Sequence, residues 1–195
     1  MTAASFQIDI PDTVLARARR GETGALEQIY RAFERPSYTL ALRMLGNADS
    51  ARETVHDAML HLLERIHQFR GDSPFWGWLR QIVVNQALMR LRRERGVAFE
   101  ELPDDDSSPG TAPTPWALAD SRHLEQALDR LPALTRSVLW LYHVEEYTHP
   151  EIAAMTGKSV SFSKSQVARG GVRLRALLEP TQPQEAAPCL IATAQ

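Results

Sequence analysis

Phe69-Arg70-Gly71-Asp72-Ser73-Pro74-Phe75-Trp76-Gly77-Trp78-Leu79 is the stretch whose reading decides the fold. Gly71 to Pro74 break any regular element. Ser73 is of N-cap type, its hydroxyl able to accept from a free first-turn amide, and Pro74 suits the first helical position, where a missing N–H does no harm. Phe75, Trp78, Leu79, Ile82, Val83 and Leu91 then recur on one helical face. From Arg80 to Arg95 the segment holds Arg80, Arg90, Arg92, Arg93 and Arg95 against the lone acid Glu94. A loop therefore leads into a helix with an apolar face and a cationic far end.

Upstream of it, Val55, Met59, Leu62, Leu63 and Ile66 form an apolar stripe on a helix expected from about Asp49 to Phe69, with Ser50 and Glu53 at capping-box spacing. Before that, Leu26, Ile29, Tyr30 and Phe33 have helical spacing, continued beyond Pro36 by Tyr38, Leu42 and Leu45. Downstream, Glu100 to Gly110 is acidic and continues through Thr111-Ala112-Pro113-Thr114-Pro115; its prolines and lack of apolar residues make it a linker. After it, Leu124, Leu128 and Leu131 give a helix stopped at Pro132, and Leu134, Val138, Leu141 and Tyr142 give another. Thr148 and Glu151 have capping-box spacing. A short helix from about Pro150 to Thr156, a turn at Gly157 and a longer helix from about Ser161 to Glu179 complete a helix-turn-helix pattern. Lys158, Lys164, Arg169, Arg173 and Arg175 lie from Lys158 to Arg175 with no acid among them.

The composition agrees with an all-α reading. The chain has 195 residues and only 7% aromatics, while Leu, Ala and Arg, all good helix formers, abound. That length excludes a large barrel enzyme. The single cysteine, Cys189, permits neither an internal disulfide nor a multi-cysteine metal site, and a reducing compartment is expected. No apolar run approaches membrane-spanning length, so a cytoplasmic protein without membrane insertion is expected. Lys+Arg 22 against Asp+Glu 24 gives a net charge of −2. The segregation of charge along the chain bears more on a polyanionic partner than this sum does. His56, His61 and His67, spaced five and six apart, do not share a helix face and are not a metal site. No nucleophile, base or cofactor constellation is found, so neither enzyme activity nor a cofactor is expected.

The residues resemble the bacterial sigma factors of the sigma-70 superfamily, in the small two-domain extracytoplasmic-function (group 4) form. Region two of that family is resembled by Leu26-Glu27-Gln28-Ile29-Tyr30, by Ala41-Leu42-Arg43-Met44-Leu45-Gly46, and by Phe69 to Leu79 leading to Asn85 and Leu91-Arg92-Arg93. Region four is resembled by Leu128-Asp129-Arg130-Leu131-Pro132, Glu151-Ile152-Ala153, Lys164-Ser165 and Arg173-Leu174-Arg175. The resemblance implies two small helical domains joined by a flexible acidic linker: residues 1–96 as region two, 97–121 as linker, 122–179 as region four, and 180–195 as a disordered tail.

It further implies binding to core RNA polymerase, through the clamp helices and the flap, and promoter-specific initiation. Arg70, Asp72, Ser73, Trp76, Arg80, Asn85, Arg90, Arg92 and Arg93 are the candidates for reading and melting the downstream promoter element. Lys158, Ser161, Lys164, Ser165, Gln166, Arg169 and Arg173 are those for the upstream element, and Arg52, Glu53, Val55, Asp57 and Leu60 for the polymerase. Phe75 and Trp78 are expected in the core, with Trp76 on a different face as the base-stacking candidate.

Two departures from the family pattern stand out. Where the family commonly has Asp-Ala-Glu-Asp, this chain has Ser50-Ala51-Arg52-Glu53 followed by Thr54. Phosphorylation of Thr54 or Ser50 by a Ser/Thr kinase would restore negative charge at a helix N-terminus. The other lies at Ser161-Phe162-Ser163-Lys164, where a serine occupies a usually apolar core position, and Gly170-Gly171 weakens the helix that follows. An anti-sigma factor is another conceivable partner, although no residue points to one. A stand-alone helix-turn-helix regulator and a helical protein-binding adaptor are the alternative readings.

Overall fold

The computed structural model describes residues 8–94 and 121–179. The expected linker 97–121, apart from its last residue, the tail 180–195 and Cys189 lie outside them. Four helices build the first module: α1 Asp12–Arg19, α2 Thr23–Leu45, α3 Ala48–Arg65 and α4 Phe75–Glu94, with a 3-10 turn Ile66–Gln68 after α3. The second contains α5 Ser121–Asp129, α6 Ala133–His143, α7 His149–Thr156 and α8 Val160–Leu178.

Apolar periodicity puts Ile29, Phe33 and Met44 of α2 fully inside, against Val55 and Leu62 of α3 and Leu79, Val83 and Leu88 of α4. Burying a large aliphatic side chain stabilises by roughly 1.5–3 kcal/mol, so this face holds the three helices together. α2 runs unbroken through the buried Pro36, which removes one backbone donor without ending the helix. It stops at Gly46, whose left-handed conformation (φ 68°) directs its amide to Leu42 O at 2.8 Å.

Two expected caps are displaced. Asn47 caps α3, its side chain accepting from the Ser50 amide at 2.9 Å, because an Asx residue three positions ahead competes successfully for the free amides. The Ser50 hydroxyl instead donates to Glu94 of α4 at 2.8 Å. At α4 the Pro74 carbonyl accepts from the Gly77 and Trp78 amides, leaving Ser73 one residue outside the cap position.

The second module follows its punctuation closely. Thr148 and Glu151 form a reciprocal capping box on α7, Gly157 turns the chain with φ 69°, and Ser159 caps α8 by accepting from the Phe162 amide at 3.0 Å. The serine in the usual apolar position, Ser163, is fully buried and satisfied by His149 Nδ1 at 3.0 Å. Gly170 sits where α8 crosses α6; a Cβ there would come within 2.6 Å of Thr135 Cγ2.

The modules pack on one another, α2 against α6, and share one core. Arg136 of α6, 5% exposed, donates to the Met44 and Leu45 carbonyls at the end of α2, and Ser137 Oγ donates to Met44 O at 3.0 Å. The last carbonyls of α2, orphaned by helix geometry, are thus satisfied from the other module by a cation that also suits the negative helix end. Arg43 and Glu125 add an ion pair at 2.5 Å, which holds the Glu125 carboxyl below its usual range.

Candidate nucleic-acid interface

The loop before α4 presents Arg70, Gly71, Asp72 and Ser73 to solvent. Gly71, at φ 89°, lets the chain reverse there. Behind it stands an aromatic cluster: Phe69 meets Phe75 edge-on at 5.2 Å, and Trp78 lies 5.5 Å from Phe69. Phe75 is buried, as expected, while Trp78 is half-buried. Trp76 points elsewhere, but one face of its ring is already used, stacked on Phe33 at 5.7 Å with 3° between the planes. Only its other face and its edge remain for a base.

The arginines of α4 are not equally open. Arg90 is clamped by Glu53 of α3 at 2.5 Å, with Asp57 and Glu94 each at 3.7 Å. Glu53 and Asp57 are assigned by sequence to the polymerase, so α3 and α4 neutralise one another here. Arg80 is half-buried against the second module, and Arg92 donates to Met155 O at 2.8 Å. Arg93 and Asn85 are exposed.

A cleft between α3 and α4, about 390 Å³ in volume, is lined by His61, Arg65, Ile82, Asn85, Gln86, Met89 and Arg92. Of these only Asn85 and Arg92 are sequence candidates for DNA contact. Two amide side chains and two guanidinium groups around an apolar floor can read base edges and hold phosphates. Residues 82, 85, 86, 89 and 92 follow helical spacing, so one face of α4 was legible, but Gln86 and Met89 carry no charge to mark it as an interface, and His61 was weighed only as a metal ligand.

On α3, Arg52, Glu53 and Leu60 face solvent, and Leu63 joins Leu60 as an exposed apolar residue. Val55 is 5% exposed and belongs to the core, correcting its assignment to a partner surface. Thr54 is likewise fully buried, its hydroxyl without a partner. That overturns its choice as a modification site, because a phosphate there would need space the core lacks. Ser50, at the half-exposed start of α3, is the accessible one of the two.

On α8, Ser161, Lys164 and Arg173 are exposed and Ser165 and Arg169 are half-buried, as is Lys158 in the turn before it. Gln166 is not a surface residue. It is 1% exposed and paired with the Thr135 hydroxyl at 2.7 Å, so it joins α8 to α6 and cannot touch DNA while the module is folded. Among the described residues no group of three or more His, Cys, Asp or Glu side chains could hold a metal, and no helix is long and apolar enough to cross a membrane.

The sigma-70 region 2 family model matches residues 29–97 and the sigma-70 region 4 model matches residues 121–174. The extracytoplasmic-function RNA polymerase sigma factor SigM of Mycobacterium tuberculosis is 32% identical over 168 residues, covering 85% of this chain and 83% of that protein. The chain belongs to the extracytoplasmic-function sigma factors. SigE of Mycolicibacterium smegmatis is also 32% identical, over 71% of this chain, although the match spans only 55% of that longer protein. The sigma factor RpoE of Bartonella quintana, solved in complex with the anti-sigma factor NepR, shares the fold with a TM-score of 0.51 at 22% identity, covering 80% of this chain and 98% of that one. CnrH, solved with the cytosolic domain of CnrY, gives 0.51 at 23% identity, covering 87% and 97%. Matches to both regions leave neither alternative reading favoured.

Proposed function

We propose that this sigma factor docks on core RNA polymerase through the exposed face of α3, with Arg52, Glu53 and Leu60 at its centre. The second module meets the flap. α4 and the loop before it then read and melt the downstream promoter element through Arg70, Asp72, Ser73, Asn85 and Arg93, and α8 reads the upstream element through Ser161, Lys164 and Arg173. The observation that carries this reading is the pairing of an open Arg70–Ser73 loop over an aromatic cluster with a capped, glycine-turned helix-turn-helix whose second helix is cationic. Each phosphate contact steepens the fall of log affinity with log salt by roughly 0.9 on duplex DNA.

The electrostatics of α3 carry the regulatory part. Glu53 and Asp57 are engaged by Arg90, which leaves the start of α3 poor in free negative charge. A phosphate on Ser50, placed by a Ser/Thr kinase, adds charge at the helix N-terminus beside Glu94 and within the Arg90 network. An anti-sigma factor, as in the complex of RpoE with NepR, is the other regulatory partner proposed.

Co-elution of purified chain with core polymerase tests both parts. Wild type is expected to co-elute weakly and Ser50→Asp more strongly. Equal retention of the two contradicts the phosphate step, and no retention of either contradicts polymerase binding.

A further inference from the structure

Arg80 crosses from α4 into the second module. Its Nη1 donates to Glu145 Oε2 at 3.1 Å and to the Glu145 carbonyl at 3.2 Å, and its guanidinium lies over the Tyr147 ring, 4.8 Å from the centroid. The receiving loop is rigidly made. The Trp140 indole N–H donates to the other Glu145 carboxylate oxygen at 3.2 Å, the Val144 and Glu145 amides both bond Trp140 O, and the Tyr147 amide bonds Leu141 O at 2.9 Å. Glu145 is 16% exposed and Tyr147 is 7% exposed, so the ion pair is shielded from the water and salt that weaken surface pairs. A carboxylate, a carbonyl and a ring face together match the planar, multi-donor guanidinium better than they match an ammonium.

The same guanidinium belongs to the cationic helix assigned to promoter DNA, and Arg92, about three turns further along α4, is also held by the second module, through Met155 O. Held in this socket the Arg80 side chain is 28% exposed, so a phosphate engages the whole guanidinium only by drawing it out.

We propose that Glu145, Trp140 and Tyr147 form a latch that stores Arg80 and masks part of the DNA-binding face of α4 in the free chain. The latch and nucleic-acid phosphates compete for the same side chain, so the second module lowers the affinity of the first for DNA until it is drawn away. This rests on the sigma-factor reading for the use of Arg80, but not for the contact itself. The Arg80 Nε is buried in the socket without an acceptor, so the latch satisfies only part of the guanidinium and yields to a better set of oxygens.

Fluorescence anisotropy of the full chain with a labelled single-stranded oligonucleotide, read across a salt series, tests the latch in four proteins: wild type, Glu145→Gln, Arg80→Ala and the double variant. Glu145→Gln is expected to bind on the order of threefold or more tightly at low salt, with the log–log salt slope steeper by roughly 0.7, one phosphate contact on a single strand. Arg80→Ala is expected to weaken binding more in the Glu145→Gln background than in wild type, which a general loss of negative charge would not produce. Trp140→Phe, which only loosens Glu145, is expected to shift affinity the same way by less, and it carries the test if Glu145→Gln melts below the assay temperature. Equal effects of Arg80→Ala in both backgrounds, or an unchanged salt slope in the released variants, overturn the latch. Failure of all the proteins to bind the oligonucleotide overturns the latch together with the assignment of α4 to DNA, whereas binding without coupling leaves that assignment standing.

Discussion

At the scale of single residues, two adjacent glycines separate local from tertiary effects. Both read from sequence as a weak point in a helix, yet Gly170 lies against Thr135 and Leu139 while Gly171 has nothing within 4 Å of where a Cβ would stand. Gly171→Ala is therefore expected to raise stability by up to about 1 kcal/mol through helix propensity. Gly170→Ala is expected to lower it by roughly 1–3 kcal/mol through overpacking. Urea denaturation of both full-length variants checks this; changes of the same sign would contradict it. Gln166 teaches the same lesson. Its place in a basic segment made it look like a base reader, but α6 runs beneath that face of α8 and claims it. Gln166→Ala is expected to cost roughly 1–3 kcal/mol by stranding the buried Thr135 hydroxyl, seen as a lower urea midpoint. An unchanged midpoint would contradict that buried pairing. No local pattern reveals which helix will cross which, so Gly170, Gln166 and Thr54 were illegible before the fold was known.

At the scale of elements, apolar periodicity and punctuation carried most of the information. The Thr148 box, the Gly157 turn and the break before Phe75 were legible because capping and turn chemistry are local. The start of α3 was misread because Asn47 and Ser50 are both good caps and sequence does not rank them. The junction of α6, α7 and α8 has a pH dependence of its own. Tyr142 stacks on His149 at 4.5 Å and meets His143 edge-on at 4.8 Å, and His149 bonds Ser163. Burial pushes the His143 pKa below its ordinary 6.5, helped by the charge of His149, and burial with the charge of Lys164 does the same to His149. An unfolded imidazole takes its proton near pH 6.5 and the folded one only at lower pH, so the unfolded state binds more protons as pH falls below that value. Stability should therefore be fully present above about pH 7 and decline through pH 6.5 and below. His149→Gln is expected to flatten the fall of Tm between about pH 7.5 and about pH 5.5; a slope equal to wild type would show that the pair does not titrate on unfolding.

At the scale of the whole molecule, the two matched regions are tied by Arg136, whose guanidinium closes the end of α2 beside Gly46. A linker legible as acidic and proline-rich said that two modules exist, but not that they pack on each other, since that contact depends on buried carbonyls that composition does not reveal. Removing Arg136 takes away hydrogen bonds that, for a charged donor, contribute roughly 1.5–3 kcal/mol each. Arg136→Ala is therefore expected to increase the radius of gyration in small-angle scattering, and an unchanged radius would contradict the clasp. The account's central claim is that this chain directs a polymerase to start at particular promoters, using α4 to do so. Run-off transcription from a fragmented genomic template, with core polymerase and the full chain, tests it most directly. Discrete new starts that weaken when Arg93 and Asn85 are both changed to alanine are the expected result; the same starts with core polymerase alone, or none with the chain added, would contradict it.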